Sequence, residues 1–265
     1  MVDRRSDLDL ALMMADRADQ ITMVAFLGGS LISETKPDGT TVTETDREVE
    51  RELRGLVAAA RPGDGFLGEE SDLTEGGSAR RWIVDPIDGT GSFVAGGKTW
   101  GTLIALEEQG CLTLGVASGP AVEGRWWGAD GIGAFGRTAV DGAPRGLAVS
   151  VSSTLDRATW SSNPSLEALS GPSRALTGRL CVCGSYVGPR EWTTHPMLMV
   201  AEGTLDLCVQ FGGAAWDYAA PAAIVCAAGG SFSYLDGCTE LVGLFTNGRL
   251  HDPVLELLGD GDPGR

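Results

Sequence analysis

A chain of 265 residues, 43% hydrophobic and 21% charged, carries enough apolar material for one large domain or two packed halves, which excludes an intrinsically disordered protein. Its net charge of −16 and pI near 4.4 leave no basic stripe to neutralise phosphate backbones and exclude nucleic acid as a partner; a small phosphorylated metabolite stays open, because divalent cations gathered by acids turn a site locally positive. No run of about 18 uncharged apolar residues occurs and MVDRRSDLDL has no leader-like apolar core, so the expectation is a soluble cytoplasmic protein with no membrane partner.

From Asp7 to Leu27 the residues Leu8, Ala11, Leu12, Ala15, Ala18, Ile21, Val24 and Ala25 recur at helical spacing, which predicts a long opening helix with Ser6 as N-cap and Gly28-Gly29 as its stop. The polar turn KPDGTTV leads to a second helix from Glu44 to Ala60, with Thr43, Thr45 and Asp46 at its start and an inner stripe of Val49, Leu53, Leu56 and Val57. Gly65-Phe66-Leu67 reads as a short strand whose end carries Glu69 and Glu70, and Trp82-Ile83-Val84 as a buried one. Beyond Phe93, strands at Gly101–Leu106, Cys111–Ser118, Gly124–Gly128 and Gly133–Phe135 form an antiparallel meander. Asp141-Gly142 marks a turn and Leu147–Ser152 a further strand, while 159–178 has no single period. Then follow a strand at Leu180–Cys183, a helix at Arg190–Ala201, a strand at Thr204–Gln210, and a helix of small residues at Ala215–Ala228. That helix has Asp217 in its first turn, Pro221 early, and Gly229-Gly230 as its C-cap. Leu244–Asn247 is a last strand and Pro253–Leu258 a last helix. With no repeat or low-complexity linker, halves 1–140 and 141–265 are expected to pack as one unit.

The chemistry concentrates in WIVDPIDGTGSF, residues 82–93. An apolar strand delivers Asp85 and Asp88, and Pro86 and Gly89 break regular structure around them, so both carboxylates, Thr90 and the Ile87 carbonyl can converge on one point. Convergent hard oxygens suit Mg²⁺. An Asp-rich surface turn has the same composition. Asp46, Glu69, Glu70 and Asp217 are further acids at element ends, a placement that helix capping also favours for Asp46 and Asp217. Six scattered cysteines predict reduced, mostly buried thiols, with Cys181 and Cys183 on one strand face as core rather than zinc ligands. His195 and His251 sit in no nucleophile or metal-pair spacing and read as structural or surface residues.

VTETD (42–46), GEES (68–71), WIVDPIDGT (82–90) and WDYAAPAAIVCAAGG (216–230), in that order, resemble the motifs of the inositol monophosphatase superfamily of metal-dependent phosphomonoesterases. LALMMADRAD (10–19), RPGDGFLGEE (61–70) and GRWWGADGIGAF (124–135) are most similar to its actinobacterial-type histidinol-phosphate phosphatases. The resemblance implies an α/β (α+β) fold, a layered αβαβα sandwich, whose first half carries most metal ligands and whose second half carries Asp217 and a substrate loop. It also implies a homodimer and two or three Mg²⁺ ions. Glu69, Asp85, Asp88 and Asp217 with the Ile87 carbonyl match the metal ligands, Asp85 bridging two ions. Asp46 and Thr90 match the pair that orients and deprotonates the attacking water, and Glu69 is counted with them as catalytic. Gly89 and Thr90 match phosphate contacts, and Gly184, Ser185 and Tyr186 the substrate loop.

Two departures bear on the substrate. Gly91-Ser92-Phe93 replaces a polar or basic residue followed by Asn-Phe, and Gln210 stands where relatives commonly place a glutamate. A neutral amide offers no charge attraction to an ammonium group, so histidinol phosphate and an uncharged sugar or cyclitol phosphate compete as substrates. A non-catalytic metal- or phosphate-binding relative, a nucleotide 3′-phosphatase and a fructose-bisphosphatase are the alternative readings.

Overall fold

The computed structural model describes residues 3–29, 31–37, 39–138, 142–188, 195–238 and 240–259, which form two compact units. The first comprises the chain up to Arg145 together with Ala215–Ile224. Its helices α1 (Arg4–Gly28) and α2 (Glu44–Ala60) lie side by side, joined by the short hairpin of β1 (Ser33–Thr35) and β2 (Thr41–Thr43). α1 starts three residues before the predicted Asp7, because Asp3 rather than Ser6 is the N-cap, its carboxylate accepting the Ser6 N–H. Left-handed Gly29 ends it.

A seven-stranded sheet follows, in the order β3 (Gly65–Gly68), β4 (Arg80–Asp88), β5 (Gly101–Glu108), β6 (Cys111–Gly119), β7 (Gly124–Ala129), β8 (Gly133–Thr138) and β9 (Arg145–Leu147). β3 and β4 pair in parallel, β5 to β8 form the expected antiparallel meander, and β4 joins its edge antiparallel to β5. Trp82 and Val84 of β4, Ile104 and Leu106 of β5, and Leu114 and Val116 of β6 join the core beneath α1 and α2. Strand alternation then turns Ile83, Asp85 and Gly115 to the opposite face. There the first part of α6 (Ala215–Ala227) covers the sheet: a Cβ on Gly115 would lie 2.3 Å from the Ala220 carbonyl oxygen. The helix bearing Asp217 thus belongs with the first unit, although the sequence assigned it to the second half.

The second unit, Gly146–Ala214 with the chain from Val225 on, holds a five-stranded sheet. Its order is β11 (Ser185–Tyr186), β10 (Thr159–Asn163), β12 (Leu207–Phe211), β14 (Val242–Thr246) and β13 (Ser231–Tyr234). Leu207, Val209 and Phe211 pack with Leu250, Val254 and Leu258 around α7 (His251–Leu258), alongside Leu176 of α4 (Gly171–Arg179). Cys208 and Gln210 alternate to the other face.

Several local expectations are corrected. Leu180–Val182 is a turn of 3₁₀ helix rather than a strand, closed by the Cys183 N–H on the Leu180 carbonyl; it buries Cys183 and exposes Cys181. Of the six thiols only Cys183 and Cys208 are buried, so the expectation of mostly buried cysteines fails. Of the predicted strand at Leu147–Ser152 only Leu147 lies in one, as the last residue of β9, and Val151 stands in solvent. Residues 190–194 of the predicted 190–201 helix and Asp141 of the predicted turn lie outside the described residues, and α5 covers Pro196–Ala201. Among the described residues no helix is long and apolar enough to cross a membrane.

Gly115→Val would force branched carbons into the Ala220 backbone. Overpacking at such a site costs roughly 1–3 kcal/mol, so the denaturant midpoint should fall by a matching amount; an unchanged midpoint would show that α6 does not rest on β6.

Candidate active site

β4 does not stop at Pro86 as the sequence suggested but runs on to Asp88. Asp85 pairs with Leu103 and the next pair is Asp88 with Gly101, so the register shifts by one residue between them. This bulge has a plain cause. Pro86 has no N–H for the ladder, and its carbonyl accepts the Thr102 hydroxyl at 2.8 Å instead. The consequence is chemical. Residues three apart on a regular strand face opposite sides, whereas here carboxylate oxygens of Asp85, Asp88 and Asp217 all lie within 4.8 Å of one another.

Asp85 sits at the centre of the charge. It is 1% exposed, and its Oδ1 finds no hydrogen-bond partner among the described residues. Burial holds its carboxyl well above the usual carboxylate range, and the charges of Asp88, Glu69, Asp217 and Asp46 push in the same direction. A buried, orphaned carboxylate oxygen beside two further carboxylates is the donor set a hard divalent cation takes, and Mg²⁺ fits it.

Next to this cluster, Gly89 turns the chain with φ +81°, and a Cβ there would lie 2.7 Å from the Thr99 carbonyl oxygen. The turn opens α3 (Thr90–Val94) and points the Thr90 side chain inward. Its Oγ1 lies 2.9 Å from the Ile87 carbonyl and 3.2 Å from Asp46 Oδ1, and shares one proton between them. Asp46 is fully buried as the third residue of α2: its Oδ2 accepts the Thr43 N–H at 2.9 Å and the Thr43 hydroxyl, while the Asp46 N–H returns to Thr43. The carboxylate therefore caps a helix and faces Thr90 at once. Burial raises its pKa above the ordinary value against the opposing hydrogen bonds from Thr43 and Thr90.

Glu69 is not among the acids whose oxygens lie within 4.8 Å of one another; its Oε1 accepts Lys36 Nζ at 2.8 Å, and Glu70 Oε1 accepts the same ammonium at 2.7 Å. Glu70 is held at its backbone too, because the buried Glu50 carboxylate accepts the Glu70 N–H at 2.6 Å, the Ser71 hydroxyl, and Arg54 at 3.1 Å. A Cβ on Gly68 would overlap that carboxyl, so the glycine makes room for Glu50. Glu70 is raised to about 7 by burial, with Glu69 adding to the shift and Lys36 opposing it. Neither Lys36 nor Glu50 was read as functional from the sequence. Glu50 did leave a signal, since it lies one helical turn beyond Asp46 and beside the buried stripe.

The remaining candidates lie in the second unit. Gly184 and Ser185 are exposed, and Tyr186 packs edge-on against Trp160 with its hydroxyl accepting the Leu166 N–H at 3.0 Å. Gln210 is buried, its Oε1 accepting Asn163 Nδ2 at 2.7 Å. His251 is held between Ser233 Oγ and Thr246 Oγ1, a structural setting in which burial lowers its pKa.

The model described as the inositol monophosphatase family matches residues 4–256. A histidinol-phosphatase of Mycobacterium tuberculosis is 42% identical over 267 residues, covering 96% of this chain and 98% of that protein. One from Streptomyces coelicolor is 42% identical over 268 residues, covering 97% and 98%. Among solved structures, the Thermotoga maritima IMPase aligns with a TM-score of 0.76 and 25% identity over 96% of this chain and 97% of that one.

Asp46, Glu70 and Asp85 all have raised folded-state pKa values, so each binds protons more tightly folded than unfolded. Their contribution to stability is full below the ordinary carboxylate range and is lost as pH rises, for Glu70 through about 7. In chelator the thermal midpoint should therefore fall between pH 5 and pH 8, and less steeply in Asp85→Asn. Parallel pH profiles for the two proteins would refute this.

Proposed function

We propose, from the premise that this chain belongs to the inositol monophosphatase family, that it hydrolyses a small phosphorylated alcohol at the Asp85 cluster with Mg²⁺. It is a phosphoric monoester hydrolase, and the observation that carries the proposal for its centre is the orphaned, buried Asp85 beside Asp88 and Asp217. Asp85, Asp88, Asp217 and Glu69, with the Ile87 carbonyl, would hold two or three ions. Bound there, Mg²⁺ supplies cationic charge for the phosphoryl oxygens and acidifies water.

The chain's own groups do the rest. Phosphoryl transfer through a loose transition state needs position and charge more than a protein nucleophile, and no serine or cysteine is required. With its proton directed to Asp46, the Thr90 hydroxyl presents a lone pair to a water and orients it. Asp46, kept more basic than a surface aspartate by burial, takes the proton through Thr90. The Gly89 turn and the Thr90 hydroxyl serve the phosphate.

Histidinol phosphate is the first candidate substrate, on the likeness to histidinol-phosphatases over nearly the whole chain. Gln210 favours a second, an uncharged sugar or cyclitol phosphate. Its oxygen is already taken by Asn163 and its amide carries no charge to attract an ammonium group. Gly184, Ser185 and Tyr186 are assigned to the leaving group. The working form is assigned as a cytoplasmic homodimer, to be checked by light scattering.

The test is phosphate release from histidinol phosphate, inositol phosphates, hexose phosphates and 3′-phosphonucleotides, with Mg²⁺ and with chelator. Turnover that survives chelation, or no turnover at all, ends the proposal. Asp88→Asn should lower turnover by on the order of a hundredfold or more while the circular dichroism spectrum holds, because it removes a metal charge and keeps the shape. Gln210→Glu keeps the acceptor for Asn163 and adds charge, so kcat/KM for histidinol phosphate should rise relative to a hexose phosphate; an unchanged ratio removes Gln210 from substrate selection.

A further inference from the structure

Lys36 leaves the chain from the turn of the β1–β2 hairpin, where its N–H donates to the Thr40 carbonyl at 2.8 Å and its own carbonyl accepts the Gly39 N–H at 2.9 Å. These two bonds fix the root of a long side chain. Its ammonium ends between two acids, 2.8 Å from Glu69 Oε1 and 2.7 Å from Glu70 Oε1. The pairing is sheltered: side-chain exposure is 18% for Lys36, 16% for Glu69 and 5% for Glu70. Glu50 accepts the Glu70 N–H and so fixes the root of the Glu70 side chain as well.

Glu69 is thereby claimed twice. The centre under Proposed function needs its carboxylate for Mg²⁺, and the present inference rests on that reading. An oxygen accepting a charge-assisted hydrogen bond has committed a lone pair that a cation would use. An ammonium left beside the ion would also repel it through poorly screened surroundings. Mg²⁺ and Lys36 therefore compete at Glu69, for its charge and for the lone pairs of Oε1.

We propose that Lys36 is a tethered counter-cation of the Glu69–Glu70 pair, which Mg²⁺ must displace from Glu69 to load the site, so that Lys36 sets the ion concentration at which the centre fills. It neutralises the two acids while the ion is absent and weakens the ion's hold when it arrives. A lysine that merely stabilised the hairpin would do the first and not the second.

Calorimetric titration of the chelator-treated full-length protein with Mg²⁺ and Mn²⁺ at pH 8 separates the two roles. Lys36→Gln should bind the ion tighter by about tenfold, the scale of removing one nearby positive charge at partial shielding. Lys36→Arg, which keeps the charge, should bind no tighter than the parent. Equal or weaker binding by Lys36→Gln overturns the inference and leaves the metal reading standing; no uptake by the parent protein overturns both. A second measurement uses the unsubstituted protein and does not depend on a variant folding. Acetylation of Lys36, followed by mass spectrometry against the exposed Lys98 as internal reference, should quicken severalfold when Mg²⁺ is added. Labelling unchanged or slowed by the ion overturns the inference.

Discussion

Mutual repulsion among buried and half-buried carboxylates is the constraint the first unit is built around. Asp85, Asp88 and Asp217 crowd together with Asp46 and Glu69 near enough to perturb Asp85, and Asp85 has almost no solvent to screen it. Left to itself such a group lowers stability, and the fold must hold it by other means. β4 is hydrogen-bonded on both sides, in parallel to β3 and antiparallel to β5, and Trp82 and Val84 anchor it in the core beneath α1 and α2. Asp85 and Asp88 are thus mounted on a strand paired on both edges and packed into the core. Active sites commonly carry strain of this sort, held by stability supplied elsewhere.

Geometry that gathers the acids comes from three small departures from regular structure. The register shift at Pro86 brings Asp85 and Asp88 to one side. The bare Gly115 lets α6 approach the sheet, which carries Asp217 to that same side across a long stretch of sequence. Left-handed Gly89 aims Thr90 back at Asp46. Each is a backbone feature rather than a polar one, and each decides where a polar group ends up.

Much of this was legible. α2 has the limits read from its stripe, the meander from β5 to β8 falls where alternation put it, and Asp46, Asp85, Asp88 and Thr90 are neighbours as the motif order implied. The unread parts fail for physical reasons. A missing donor such as that of Pro86 usually breaks a strand; here a bulge and the Thr102 hydroxyl absorb the loss instead. β13 went unseen because Phe232 and Tyr234 alternate with serines in a run too short to show a period. Leu180–Val182 is apolar enough for either a strand or a 3₁₀ turn, and packing of Leu180 and Cys183 into the second core decides. Lys36 and Glu50 are ordinary surface residue types whose importance arises from tertiary contact with GEES.

The capping box at the start of α2 has a bearing on how variation at Asp46 would be interpreted. One oxygen of that carboxylate closes the first turn of the helix and the other faces Thr90. A population of sequences selected for folding alone, with no demand for turnover, would still keep an acid there. Retention of Asp46 in a diverged homologue is consequently silent about whether that homologue is an enzyme. Thr90 is the more telling site: its hydroxyl caps no helix, and drift there would record the loss of chemistry.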